Sequence, residues 1–235
     1  MINEYYDISH AMSQRKCPPE PCGSIELIIG PMFSGKTTEL IRRIRRHSLA
    51  KRNCIVIKYS KDRRYSEDKL CTHDHFTYEA ISCIKLKDIE DLVKDAEIIG
   101  IDEGQFYPDL VEFCEMQANS GKIVIVAALD GTFQRKRFND VVDLIPLCES
   151  VEKLNAVCTV CGRAAAFTKR LVDDDSIELV GGAEVYTALC RKCFFEFDEK
   201  MNEQMKGSNF LSSSPECKTN DLSPPSSPPT SPDSS

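Results

Sequence analysis

Eight consecutive residues, Gly30, Pro31, Met32, Phe33, Ser34, Gly35, Lys36 and Thr37, spell G-x-x-x-x-G-K-[ST]. A P-loop of this pattern turns its backbone N–H groups onto phosphate oxygens, and the positive end of the following helix adds to the attraction. Lys36 would neutralise the β- and γ-phosphates of ATP, and the Thr37 hydroxyl would ligate Mg²⁺. An acidic partner stands further along, where Ile98-Ile99-Gly100-Ile101 runs into Asp102-Glu103. Asp102 can hold Mg²⁺ through its water shell. Glu103, projecting beyond the strand end, can act as general base on an attacking oxygen. These two motifs leave open whether that oxygen belongs to water, giving an ATPase, or to a substrate hydroxyl, giving a kinase.

A second constellation is made of sulfur. Of 12 cysteines, four form two C-x-x-C pairs, Cys158/Cys161 and Cys190/Cys193. Four thiolates at this spacing favour tetrahedral Zn²⁺, and a closed Cys₄ set implies a structural ion with no open position for catalysis. The 28 residues between the pairs exceed the usual zinc-ribbon gap of roughly 15–20. They read as a loop pinned at both ends, which could fold over a substrate. Gly181-Gly182 would let its backbone approach a ligand closely. Cys54, Cys83, Cys114 and Cys148 lie in apolar stretches, where cysteine serves as a small hydrophobe.

These groups need elements to position them. Ser24–Gly30, Asn53–Tyr59, Glu97–Ile101 and Lys122–Leu129 are short, near-continuous apolar runs and predict strands covered on both faces. Between them, helices are expected over Thr37–Lys51, with Leu40, Ile41, Ile44 and Leu49 inward, and over Asp88–Lys94, with Ile89, Leu92 and Val93 inward. A third is expected from Pro108 to about Asn119, ended by Gly121. Strands alternating with helices predict an α/β fold with a mostly parallel sheet, which places a phosphate site at a strand's carboxyl end. The expected organisation is a leader over 1–23, an ATP-binding α/β domain over 24–156 and a small zinc lobe over 157–200. Residues 201–235 form a tail with nine serines and six prolines from Ser212 onward, too polar to bury a core.

Composition narrows the class. The net charge of −7 and pI of about 5.3 argue against a dedicated nucleic-acid binder. The first residues carry no apolar secretory stretch, and no run approaches the roughly 20 residues of a membrane span. A cytoplasmic enzyme without direct nucleic-acid or membrane contact is the expectation.

Taken with "GPMFSGKTTEL", "IDEGQF", "VIVAALDGTFQR", "GGAEVY" and the cysteine pairs, residues 24–195 closely resemble the cytosolic-type (type II) thymidine kinases. The resemblance implies a P-loop NTPase-like sheet and a zinc lobe carrying a lasso-like loop. It implies transfer of the ATP γ-phosphate to the 5′-hydroxyl of thymidine (and of deoxyuridine), in deoxynucleotide salvage. It gives Glu103 the catalytic-base role and places Asp62, Arg63, Arg64, Gly104 and Gln105 on the nucleotide side with Asp102. Phe106, Leu129 and Phe133 match positions around the nucleoside. Thr168, Ile177, Glu178, Leu179, Val180, Gly181 and Tyr186 match the loop that closes over the base, largely through main-chain hydrogen bonds. A homotetramer and feedback inhibition by thymidine triphosphate are further implications.

Weaker signals are read blandly. The run Arg42, Arg43, Arg45, Arg46 reads as a solvated or subunit-facing helix surface, with phosphate contact as the alternative. His73-Asp74-His75 reads as a loop feature rather than a metal pair. Ser214, Ser223, Ser227 and Ser231 each precede proline and could be modified by proline-directed kinases. Two rival functions are a zinc-containing ATPase acting on nucleic acid and a zinc-ribbon binding module with a degenerate nucleotide site. The first calls for a basic stripe and further motor motifs and is disfavoured by the acidic net charge and short length; the second calls for a lost phosphate-site or acidic residue, yet all are present.

Overall fold

The apolar runs become neighbouring strands of one sheet. The computed structural model describes residues 22–61, 69–71, 77–174, 176–179 and 181–197. The leader as far as residue 21, Asp62, Arg63, Arg64, the His73/His75 pair, Val180 and the Ser/Pro tail lie outside the described residues.

In chain order the strands are β1 Ser24–Gly30, β2 Cys54–Tyr59, β3 Lys69–Cys71, β4 Thr77–Glu79, β5 Ile81–Cys83, β6 Ile98–Ile101, β7 Ile123–Leu129 and β8 Ser150–Lys153. They are followed by β9 Ala156–Val157, β10 Ala164–Ala165, β11 Phe167–Arg170 and β12 Tyr186–Leu189. Six of them form the main sheet in the order β5-β2-β6-β7-β1-β8, and every pairing in it is parallel. The three remaining pairs are short antiparallel ribbons, β3/β4, β9/β10 and β11/β12. β7 lies between β1 and β6, with Gly30 opposite Leu129 and Ile101 opposite Val126. The carboxyl ends of the two chemistry-bearing strands therefore stand on one edge, separated by a single strand.

Side-chain alternation divides the core between the sheet's faces. Ile28, Val56, Ile98, Ile125 and Ala127 pack under helix α1, Lys36–Leu49, which presents Leu40, Ile41 and Ile44. Full burial of each such side chain is worth about 2 kcal/mol. Gly100 faces the same helix: a Cβ there would lie 2.9 Å from Ile44 Cδ1. On the other face Leu27, Ile57, Ile99, Ile101, Val124 and Val126 pack against helix α2, Leu110–Asn119, through Leu110, Phe113 and Cys114. Helices on both faces explain why these strands are predominantly apolar.

Several expectations are corrected. Leu49 is 83% exposed, because it lies five residues beyond Ile44, about 140° around the helix from the buried stripe. The expected helix over 88–94 reduces to a 3-10 turn at Leu86–Ile89 followed by further turns. Val93 and Ala96 point inward there, but Leu92 is 59% exposed. The third helix starts at Leu110 rather than at Pro108. Asp109, at its N-cap position, instead accepts hydrogen bonds from the Leu86 and Lys87 amides at 3.2 and 2.9 Å, tying the two segments together.

The arginine run also has a definite job. Arg43 donates to Glu26 on β1 at 2.7 Å, to Glu39 at 2.8 Å and to Glu152 on β8, while Arg42 pairs with Glu39 at 2.6 Å. The Arg42 bond, with that of Arg43, outweighs burial and holds the Glu39 carboxyl at about 2, well below its usual 4.5. Arg45 and Arg46 are exposed. Among the described residues no helix is long and apolar enough to cross a membrane.

Candidate active site

The loop after β1 needs glycine at both ends, for different reasons. Gly30 has φ 151°, and a Cβ there would come within 2.4 Å of the Leu154 carbonyl oxygen. Gly35 has φ 82° with open space around it, so its left-handed backbone alone demands glycine. Between them the loop ties itself up, the Ser34 hydroxyl donating to Pro31 O at 2.8 Å and Lys36 Nζ to the same oxygen at 2.7 Å. α1 then begins with Glu39 N donating to Gly35 O at 2.9 Å. Phe33 takes φ 64°, a left-handed conformation costing a non-glycine residue about 1–2 kcal/mol. Its ring packs on the core of the cysteine-bearing lobe. A second tie runs the same way: the Met32 amide donates to Thr168 Oγ1 at 2.9 Å.

The acidic strand end meets this loop directly. Thr37 Oγ1 donates to Asp102 Oδ2 at 3.0 Å and lies 3.2 Å from Oδ1. Asp102 is held in turn by its amide, which donates to Ile57 O at 2.9 Å and extends the β2/β6 ladder by one residue. Immediately afterwards the chain breaks direction at Glu103, φ 53°, and enters a 3-10 turn at Gly104–Phe106. Strain at two residues of one site marks a backbone that its surroundings over-determine.

Gln105 fixes the Glu103 side chain. It is fully buried, and its Nε2 donates to Glu103 Oε2 at 2.5 Å while its Oε1 accepts from the Leu129 amide at 2.9 Å. The Gln105 carbonyl accepts from Asn139 Nδ2 at 2.7 Å. Both ends of the Gln105 amide are engaged inside the protein, so its part is to hold Glu103 and the end of β7. Phe106 stacks on Tyr59 at 5.0 Å between ring centres and meets Phe138 edge-on at 5.7 Å, forming an aromatic wall beside Leu129.

The long segment between the cysteine pairs is organised by a residue that sequence reading passes over. Arg170, at the end of β11, is buried. Its guanidinium donates to the carbonyls of Asp174 at 2.6 Å, Ser176, and Ile177 at 3.2 Å, and to the Tyr186 hydroxyl at 2.7 Å. That hydroxyl donates onward to Leu179 O at 2.8 Å. The Phe133 ring lies 3.9 Å from the guanidinium carbon. Phe133 and Tyr186 are therefore brought to the loop, whereas the side chains of Ile177 and Glu178 are exposed. Gly181 is half-buried beside Val185. Thr168, two residues before Arg170, shares its face of β11 and reaches the loop after β1.

The cysteines converge. The sulfurs of Cys158, Cys161, Cys190 and Cys193 all lie within 4.8 Å of one another, and the Cys161 and Cys190 sulfurs are 3.6 Å apart. A zinc–sulfur length near 2.3 Å requires tetrahedral sulfurs about 3.8 Å apart, so the set fits Zn²⁺. Arg163 Nε donates to Cys161 Sγ at 3.4 Å. That bond lowers the Cys161 thiol to about 6, favouring the thiolate that a metal needs. Cys83 and Cys114, by contrast, are buried free thiols whose ionisation burial opposes.

Arg170, Asn139 and Arg163 carry no motif. Their importance lies in acceptors far along the chain or beyond a turn, which a pattern of residue types does not contain.

The family model for thymidine kinase matches residues 23–194. The chain is 58% identical over 174 residues to the thymidine kinase of Variola virus (isolate Human/India/Ind3/1967), covering 74% of this chain and 98% of the viral protein. The thymidine kinase of Vaccinia virus (strain Western Reserve) matches at 58% with the same coverage. The cytosolic thymidine kinase of Homo sapiens is 55% identical over 179 residues, 76% of each chain.

Proposed function

The chain belongs to the thymidine kinase family, and from that premise we propose that it transfers the γ-phosphate of ATP to the 5′-hydroxyl of thymidine. The observation that carries the proposal is the meeting of Thr37 with Asp102 at 3.0 Å, beside a Glu103 held by Gln105. It supports the reading by bringing the Gly30–Thr37 loop, Asp102 and Glu103 to one sheet edge, and the Met32–Thr168 bond ties that edge to β11.

Within this reading Gly30–Thr37 is a P-loop on a P-loop NTPase-like sheet, and Lys36 neutralises the transferred phosphate. Thr37 and Asp102 are adjacent hard oxygen donors suited to Mg²⁺, which when bound offsets charge on the phosphates. Glu103 takes the proton of the 5′-hydroxyl as its oxygen attacks. Phe106, Leu129 and Phe133 flank the nucleoside, and Ile177 to Gly181 with Tyr186 and Thr168 form the lasso-like loop over the base. Asp62, Arg63 and Arg64 serve the ATP phosphates, as the family resemblance supports. Zn²⁺ on the four cysteines is structural and anchors both ends of the loop. The same resemblance supports a homotetramer in the cytoplasm, inhibited by thymidine triphosphate. That ligand combines a nucleoside with phosphates and so could occupy both halves of the site. A division into an ATP-binding domain over 24–156 and a zinc lobe over 157–200 is part of the same reading, and the separate core around Cys158, Ala165, Leu189 and Phe194 supports it.

The test is a transfer assay with Mg-ATP and a panel of nucleosides. Thymidine monophosphate should form in step with ADP, with little ADP when thymidine is absent. Nucleoside-independent ATP hydrolysis at a comparable rate would overturn the kinase reading in favour of an ATPase.

A further inference from the structure

The only carboxylate paired with Arg170 among the described residues is that of Asp174, and the contact is a loose one. The Arg170 side chain is 2% exposed, and Asp174 Oδ1 lies 3.9 Å from Nη1, beyond hydrogen-bond reach. Its hydrogen bonds go to neutral groups, three loop carbonyls and the Tyr186 hydroxyl, and the faces of Phe133 and Tyr186 lie against it. Nε has no hydrogen-bond partner among the described residues, so the donors in use are those aimed at the loop. As a source of stability this is a poor arrangement, since an apolar side chain of similar volume usually does as well or better. What it does supply is a conformation. One guanidinium, with the Tyr186 hydroxyl as relay, fixes the carbonyls of Asp174, Ser176, Ile177 and Leu179. The side chains at 176, 177 and 178 are exposed and cannot do this by packing. Other hydrogen bonds among the described residues of the segment include short-range ones, Ser176 N to Asp174 Oδ1 at 2.7 Å and Gly182 N to Glu184 Oε1 at 2.7 Å, and Leu171 N to Val185 O at 2.7 Å closes its base.

We propose that Arg170 is the positioning residue of the acceptor site, setting the carbonyls of Asp174, Ser176, Ile177 and Leu179 in the geometry that receives the nucleoside. This rests on the reading above that the loop contacts the acceptor. Main-chain recognition requires the peptide groups to be fixed before the ligand arrives, because each peptide left free adds an ordering cost to binding. Arg170 meets that cost during folding. Its effect therefore belongs in acceptor affinity, not in the chemical step or the ATP side.

The experiment compares Arg170→Met and Arg170→Lys with the zinc-loaded full-length protein. Methionine keeps volume and removes the donors; lysine keeps charge and loses the fork. In Arg170→Met, amide hydrogen exchange over 172–182 should speed up by about 10- to 100-fold, and KM for thymidine should rise by a similar factor. At saturating thymidine kcat should stay within about threefold, with KM for ATP and the zinc content unchanged. Arg170→Lys should fall between. Tyr186→Phe, which removes only the relay, should raise the thymidine KM by about tenfold or less and serves if Arg170→Met folds poorly. Unchanged exchange over 172–182 overturns the proposal directly. Faster exchange with an unchanged thymidine KM also overturns it, and places the failure in the acceptor reading of the loop. Parallel losses in kcat, both KM values and thermal midpoint would reduce Arg170 to a structural residue.

Discussion

Glu103→Gln separates chemistry from architecture in this site. The substitution keeps side-chain length and shape. It also keeps the φ 53° backbone, which costs glutamine what it costs glutamate. The new amide can still turn its oxygen to Gln105 Nε2, now 2.5 Å from Glu103 Oε2, so the bond survives as a neutral one. Exchanging a charge-assisted for a neutral hydrogen bond costs about 1 kcal/mol of stability, or a few degrees in melting temperature for a domain of this size. Loss of the general base costs far more, about 10²- to 10⁴-fold in turnover, equivalent to roughly 3–5 kcal/mol of barrier. ATP affinity should hold, because Lys36, Thr37 and Asp102 are untouched. The assay is single-turnover formation of thymidine monophosphate, with ATP binding measured separately by calorimetry. A variant within threefold of the parent rate would refute the base assignment. A variant that has lost ATP binding in proportion would refute the separation of roles.

Three other outcomes follow from the same geometry. Metal analysis should find about one zinc per chain, and Cys190→Ser or chelation should unfold the small lobe, removing on the order of 10 kcal/mol of binding-coupled stability; thiol titration before and after chelation would expose the four sulfurs together. Gly100→Val should destabilise by about 1–3 kcal/mol, because a Cβ already meets Ile44 Cδ1 at 2.9 Å; Gly100→Ala should cost less, the obstacle being the end of a flexible side chain, and denaturant titration of both variants checks the order. The Glu39 carboxyl, depressed in the folded protein to about 2, contributes stability that is present above about pH 4.5 and lost as pH falls towards 2; partial exposure leaves this on the order of 1 kcal/mol, and Glu39→Gln should flatten that stretch of the stability–pH curve.

The sheet was readable wherever both faces are covered, because β1, β2, β6 and β7 are then near-continuous apolar runs. β8 was not, since Ser150–Lys153 is an exposed edge with no apolar period, and it takes its place through pairing with β1 and the Arg43–Glu152 contact. Leu92 shows the opposite failure: an apolar residue at helical spacing points outward because the segment folds as 3-10 turns. The Gly30–Thr37 motif and the cysteine pairs were legible because the chemistry they suggest needs fixed residue types at fixed spacing. Gln105 was visible only as part of a run, and its bracing of Glu103 depends on Leu129 and Asn139, brought near by the fold. Arg170 was invisible for the same reason: it serves carbonyl oxygens, which every residue carries.

The placement of β1 has a consequence for how the protein is made. Its partners are β7 and β8, and the first strand's Ile25 amide bonds to Glu149, 124 residues away. Met32 waits for Thr168, 136 residues further on. During translation the glycine loop leaves the ribosome early, yet every strand that will flank it, and the threonine that ties it down, is still to be synthesised. Parallel pairings over such separations are slow to form, and chaperones meet the exposed apolar strand in the interval. Nucleotide capture should thus be among the last properties a nascent chain acquires, and its onset would time the completion of folding on the ribosome.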